Sequence, residues 1–444
     1  MSGGKFVRRT GITLVSGVIC FLIALPISII LARVLGPEGK GIYALASLLP
    51  TLIVTFGNLG IGPATVFYVA RGDYKRKEIL GNNIFLSFFI GAFGIVIGLI
   101  IATFCRETIF PNVPAIYLYI ALCLVPFELF FLYINNILLG AQQIEKYNYI
   151  QIIQNVISLG FFVVALLAIK AGVKGAIIAA LLTWVTIDVL LFLLTVKITD
   201  GVDIKPNKTY IKQAIIYGIQ AHIANILGFL NYRIDMFMVN IFLGPAAVGQ
   251  YTIAVGLVEK LWMISYAAST VLFPRVAAET EEERKNEFTI LVARTVLWTT
   301  AFGVLILAVL GRWIVIAFFS EAFLPAVNAL RALLVGVVAL SVGRVFANDI
   351  AGRGFPRFNI YSGIAAVAIN IVLNMIWIPR YGISGAGWAS TVSYTVSFVI
   401  SLFFHCRLSG NRWTKVFLLQ RQDLLLYLDI CKRIGHWIVE IGKR

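Results

Sequence analysis

What most constrains this chain is a succession of long apolar runs, almost free of charge and bounded by Gly, Pro or charge clusters. A helix needs ~20 consecutive apolar residues to cross the hydrocarbon core of a bilayer. Twelve runs reach that length, at 11–34, 41–62, 80–103, 113–140, 147–170, 174–197, 210–242, 246–273, 286–310, 325–350, 358–379 and 382–405. Only 13% of the 444 residues are charged and 60% are hydrophobic, where a soluble domain carries about 25% charge. A soluble fold, a disordered chain and a disulfide scaffold are excluded together. The expected fold class is all-α and integral to the membrane, with about 12 transmembrane helices. The run at 210–242 is too long for one straight crossing, so either Gly228 bends it or it projects beyond the membrane. Lys5, Arg8 and Arg9 precede a first run longer than a signal-peptide core, so that run is read as a retained helix. Five cysteines without a CxxC spacing and three histidines suggest neither a metal site nor a cofactor.

The net charge of +16 is mostly topology. With the N-terminus in the cytoplasm, 25 of the 37 Lys and Arg residues fall on inner segments, seven on outer loops and five within spans. Basic residues concentrate on the cytoplasmic side of membrane proteins. This bias predicts a multi-pass protein of the cytoplasmic (inner) membrane with both termini inside. It explains the basic balance without nucleic acid. The outer loops are all short, which leaves no room for an outer catalytic domain. From Lys415 to Arg444, polar and apolar residues alternate at helical spacing. That pattern predicts an amphipathic tail helix against inner-leaflet lipids.

An internal repeat organises the rest. Residues 35–46 read LGPEGKGIYALA and residues 243–254 read LGPAAVGQYTIA, with six of twelve positions identical at an offset of 208. Gly172–Ala176 against Gly382–Ala386, and Asn136 and Gly140 against Asn348 and Gly352, keep nearly the same offset. Each unit would hold six spans. An even number makes the two repeats parallel, related by an axis along the membrane normal. The expected organisation is an N-terminal lobe at 1–200, a C-terminal lobe at 201–410 and a tail at 411–444. The LGP…G…Y segments are read as outer turns, with the Tyr near the interface. Two such lobes could rock about a central cavity.

The run ILARVLGPEGKGIYALASLLPTLIVTFGNLGIGPATVFYVARG resembles the polysaccharide-biosynthesis flippase family, as does FLNYRIDMFMVNIFLGPAAVGQYTIAVGLVEKLWMISYAASTVLFPRVAA. This family belongs to the multidrug/oligosaccharidyl-lipid/polysaccharide exporter superfamily. The resemblance extends over most of residues 5–410. It implies two six-helix lobes around a central cavity, and a cargo of polyprenyl-diphosphate-linked oligosaccharide moved from the inner to the outer leaflet. It also implies work alongside polysaccharide polymerase machinery. Twelve spans fit this family better than the fourteen-helix lipid II flippases of the same superfamily.

Ionisable residues in hydrocarbon cost ~2.5–3.5 kcal/mol or more each, so they usually face a cavity or a partner. At ~1.5 Å rise per residue, Arg233 lies ~15 Å from the outer end of its run, Lys260 ~21 Å into its own, and Glu128 fifteen residues into the fourth. A diphosphate needs cations and donors, and Arg offers it a bidentate fork. Arg233, Lys260, Arg331 and Arg344 are therefore the candidate headgroup residues. Internal pairing is the competing reading: Lys260 with Glu128 or Glu259, and Arg344 with Asp349. His222, Asn225 and Arg233 fall on one helical stripe, and Asn231 and Asp235 roughly opposite. Glu128, Asp188, His222, Asn225, Asp235 and Glu259 are the candidate cavity or ion-coupling residues, with H⁺ or Na⁺ left open. A multidrug or cation antiporter of the same superfamily remains the alternative. It would favour acidic cavity residues, whereas the span interiors hold five basic and four acidic ones. No nucleophile–base pair or sugar-nucleotide motif points to an enzyme.

Overall fold

The computed structural model describes residues 3–411 and 413–417, and among them every regular element is helical. In chain order the α-helices are α1 (Gly3–Gly57), α2 (Ile61–Arg71), α3 (Arg76–Phe104), α4 (Arg106–Ile109), α5 (Ala115–Leu122), α6 (Leu124–Gly140), α7 (Ile144–Val163) and α8 (Gly172–Ile198). There follow α9 (Lys208–Leu243), α10 (Pro245–Glu259), α11 (Trp262–Ala278), α12 (Glu282–Ile314), α13 (Ala326–Gly352), α14 (Arg357–Tyr381) and α15 (Ile383–Ser409). The tail helix expected at 415–444 lies outside the described residues beyond Phe417.

Ten helical stretches among the described residues are long and apolar enough to cross a membrane. The first, Val15–Gly57, has 43 residues, twice what a ~30 Å core requires. It takes in the two runs expected at 11–34 and 41–62, because the backbone leaves helical space at Gly36 (φ 65°, ψ −175°). The run expected at 246–273 is two helices, α10 and α11, of 15 and 17 residues, joined by a two-residue turn at Lys260–Leu261 in which Leu261 keeps right-handed helical dihedrals (φ −68°, ψ −22°). Neither reaches the length of a crossing alone. The run expected at 210–242 is one continuous helix, α9, of 36 residues that passes through Gly228. Asn207 starts it, its side chain accepting hydrogen bonds from the Thr209 and Tyr210 amides, which satisfies two of the orphan donors of a first turn.

The chain packs into two compact units. The first comprises Met1–Val255, Arg312–Ala329 and Ile371–Ala386; the second comprises Gly256–Gly311, Leu330–Asn370 and Gly387–Arg444. In the first, Leu31 of α1, Phe162 at the end of α7, the following Leu166, and Ala176 and Ala179 of α8 form a buried apolar cluster. At the Lys-rich end of the same unit, the segment before α9 is stitched to α3. The Asp203 amide donates to the Lys77 carbonyl (3.0 Å), and the Asn207 amide donates to Asn82 Oδ1 (2.8 Å). Tyr210, fully buried, donates to Asn83 Oδ1 (3.0 Å). In the second unit, Leu272, Val276, Ile290, Ala293, Val342 and Phe346 pack α11, α12 and α13 together.

A very tight backbone contact in the first unit joins the two copies of the repeated motif. A Cβ on Gly41 would lie 1.7 Å from the Pro245 carbonyl oxygen, and one on Gly249 would lie 1.9 Å from that of Pro37. Gly41 and Gly249 occupy the same place in their copies, as do Pro37 and Pro245. Each copy therefore offers its Gly to the other's Pro, a self-complementary arrangement of the kind a two-fold axis produces. Small residues that let backbones meet are the usual device of helix packing in membranes. Gly41→Ala and Gly249→Ala should each lower stability by about 1–3 kcal/mol, the usual cost of overpacking. Gly160→Ala, with nothing within 4 Å of its Cβ, should be neutral or slightly stabilising. Thermal unfolding of the purified variants in detergent checks both.

Candidate functional site

The backbone has no water to bond inside a bilayer, so an interrupted helix must find internal partners for its freed groups. The first unit shows this at the step between α1 and α2. Leu59 and Gly60 adopt positive φ (50° and 71°), and the Gly60 amide turns to Asn58 Oδ1 (2.9 Å). The Phe56 carbonyl thereby loses its helical partner. His222 of α9, only 3% exposed, supplies one through Nε2 at 3.1 Å. Tyr133 of α6 donates to the neighbouring Asn58 carbonyl (3.1 Å). Gly60 also sits directly against Gly218 of α9, where a Cβ on either would lie within 2.4 Å of the other's carbonyl oxygen.

Further along α9 the polar stripes separate by environment. Asn231 and Asp235 are buried, Arg233 is half-buried and Asn225 is exposed. Asp235 accepts from the Met236 amide (2.8 Å) and from the Tyr251 hydroxyl (2.6 Å). Tyr251 is the Tyr of the second motif copy, expected near the interface. It is fully buried, its hydroxyl donating to that carboxylate. Glu128 of α6 is half-buried. Asp188 of α8 is 5% exposed, and neither of its carboxylate oxygens has a hydrogen-bond partner among the described residues. An unpaired buried carboxylate is costly.

The other candidates belong to the second unit. Glu259 ends α10 and is half-buried; Lys260 is exposed in the two-residue turn that follows. Arg331 is exposed on α13. Arg344, half-buried on the same helix, holds its guanidinium 4.5 Å from the Trp262 ring centroid and 5.2 Å from that of Tyr266. Such stacking stabilises a cation by ~0.5–2 kcal/mol. Asp349, weighed from sequence as the partner of Arg344, is bound by other groups. It accepts from Arg353 Nε (2.9 Å), Thr289 Oγ1 (2.8 Å) and His405 Nδ1 (2.7 Å). Arg353 extends this network to Glu282 and Asn286 of α12 (2.6 and 2.7 Å).

The two helix interruptions escaped the sequence reading. Asn58–Gly60 had a signal, since GNLGIG places three glycines and an Asn inside an apolar run. The step at Lys260 had only two adjacent charges. In the Asp349 network only the Asp349–Arg353 pair, four residues apart, had a local signal; Thr289 and His405 lie 60 and 56 residues away.

Comparison with known proteins follows the same lines. The chain is 23% identical over 404 residues to an uncharacterised membrane protein of Methanocaldococcus jannaschii, covering 86% of this chain and 93% of that protein. It is 23% identical over 204 residues to a probable low-salt glycan biosynthesis flippase of Haloferax volcanii, covering 44% of this chain and 42% of that one. Its fold is similar to the lipid II flippase MurJ in an inward-closed conformation, with a TM-score of 0.75 at 15% identity, over 88% of this chain and 87% of that one. These are transporters or membrane proteins, with no enzyme among them. The polysaccharide biosynthesis protein profile matches residues 6–278, more than half of the chain, and the chain belongs to that family of membrane transport proteins.

Proposed function

We propose that this protein is a flippase. It moves polyprenyl-diphosphate-linked oligosaccharide from the inner to the outer leaflet of the cytoplasmic membrane, for surface polysaccharide synthesis, by alternating access. In this reading twelve spans form two parallel six-helix repeats about a central cavity, with lobes at 1–200 and 201–410 and both termini in the cytoplasm. The reciprocal contact of Gly41 with Pro245 and Gly249 with Pro37 supports the repeat. The name of the Haloferax volcanii relative supports the cargo class.

The observation that carries the headgroup assignment is Lys260. It is exposed, beside Glu259, in the two-residue turn between α10 and α11, midway along a long and largely apolar run. Discontinuous helices line the binding sites of many transporters, where their ends and freed backbone groups meet substrate. Arg233, Lys260, Arg331 and Arg344 supply positive charge for a diphosphate, which a low-dielectric cleft makes effective. Arg344, stacked on Trp262 and Tyr266, presents a fixed guanidinium. Asp188 and Glu128 carry the coupling to H⁺ or Na⁺, since an unpaired buried carboxylate gains by taking a cation. His222 and Asp235 position helices, through the Phe56 carbonyl and the Tyr251 hydroxyl.

Two measurements test this reading. In a strain lacking the protein, lipid-linked oligosaccharide should accumulate on the cytoplasmic side and surface glycan should fall. Arg233→Ala or Lys260→Ala, present in the membrane at normal levels, should restore less than a tenth of the surface glycan. Full restoration by Arg233→Ala removes that residue from the site. Normal glycan with increased drug sensitivity would favour the antiporter. In proteoliposomes, an imposed H⁺ or Na⁺ gradient should accelerate transport by the wild type and leave Asp188→Asn at its gradient-free rate.

A further inference from the structure

The first unit contains a cavity of about 200 Å³ between α1, α7 and α8, outside the set of charged residues assigned above. Its polar lining is Gln154, Asn155, Ser158 and Thr183, and its aromatic walls include Tyr43 and Trp184. Gln154 lies ten residues into α7 and Thr183 eleven residues into α8. At ~1.5 Å per residue both stand ~15 Å from their helix starts, near the middle of a ~30 Å core.

The lining is chemically selective. No ionised side chain lines the cavity, so it lacks the cations that a diphosphate needs. A lipid tail would strand its amides and hydroxyls at a depth where water is absent. Gln154 and Ser158 have open hydrogen-bonding capacity, since neither has a hydrogen-bond partner among the described residues. Thr183 donates to the Ala179 carbonyl (2.7 Å) and keeps its acceptor lone pairs. Asn155 is anchored by donating to the Gln151 carbonyl (2.9 Å). The cavity thus offers an amide with both donors and an acceptor, a hydroxyl with both, and a further hydroxyl acceptor.

The aromatic walls are held in place. Tyr43 meets Phe162 edge-on at 5.9 Å, and Trp184 meets Phe131 edge-on at 5.2 Å. Their electron-rich faces attract weakly positive C–H edges. A ligand with hydroxyls around its rim and C–H groups on its face matches both sets of walls. Ligand pockets typically run ~300–1,000 Å³, so a cavity of this size takes one ring rather than a whole oligosaccharide.

We propose that this cavity is a subsite for a single uncharged sugar ring, with Trp184 and Tyr43 supplying the stacking walls and Gln154, Ser158 and Thr183 bonding the hydroxyls. It rests on the flippase reading, and it separates recognition of the glycan from recognition of the diphosphate. The headgroup charges then hold any polyprenyl diphosphate, and the cavity favours those that carry sugar.

The test uses the purified full chain in nanodiscs, titrated with polyprenyl diphosphate bare or bearing one glucose or one N-acetylglucosamine. The wild type should bind at least one sugar-bearing lipid tenfold or more tighter than the bare one. The double variant Gln154→Leu/Ser158→Ala, and separately Trp184→Leu, should lose that preference while binding the bare lipid as the wild type does. Unchanged binding of the bare lipid also certifies the fold of each variant. Variants that keep the full preference, or a wild type with none, overturn the sugar subsite and leave the flippase reading standing. A wild type that binds none of the lipids overturns both.

Discussion

The backbone contact between the two LGP…G…Y copies is the constraint on which the first unit turns. Gly41 and Gly249 bring α1 and α10 so close that no side chain fits between either glycine and the opposing Pro carbonyl. Gly36 and Gly244, the glycines that open each copy, take positive φ (65° and 82°) and set the turns that aim the helices at each other. Dispersion across such a contact is strong because backbone meets backbone. The hydrophobic effect cannot hold helices together in lipid, so packing of this kind must. The same geometry buries Tyr251 and delivers its hydroxyl to Asp235 on α9.

A second constraint is the accounting of backbone hydrogen bonds in an apolar medium. The turn between α1 and α2 frees the Phe56 carbonyl, which His222 satisfies, while the Asn58 carbonyl takes the Ile61 amide and the Tyr133 hydroxyl together. Arg33 does similar work elsewhere in the first unit, donating to the carbonyls of Phe318 (2.9 Å) and Ala317. Several polar residues that would otherwise look like ligands are thus explained by the helix ends they serve. Those left over are Asp188, with neither oxygen bonded, and the open amide and hydroxyl of the α7–α8 cavity. The residues with spare capacity are the ones that transport chemistry can use.

The charges at membrane depth divide in the same way. The second unit binds Asp349 on three sides, through Arg353, His405 and Thr289, and in doing so ties α12, α13 and α15 together. Arg344 is left to the faces of Trp262 and Tyr266. Stacking of this kind stabilises a guanidinium away from water. Lys260 stands exposed in its helix interruption.

The chain's own residues determined the membrane class, the helical fold and the family. Each rests on local pattern, namely apolar runs of crossing length and a motif repeated at an offset of 208. Hydrophobic run length sufficed because burying an unpaired backbone in lipid leaves the helix as the only solution for such segments. It did not reveal that the motif copies touch, that the run at 246–273 is interrupted at Lys260, or that α9 passes Gly228 unbroken. Nor did it separate His222 and Asp235, which serve neighbouring helices, from Asp188, which has no bond to serve. Those distinctions belong to the tertiary structure. A polar group's role depends on whether packing brings it a partner, and the partners lie far along the chain: Phe56 for His222, 166 residues away, and Asp349 for His405, 56 residues away.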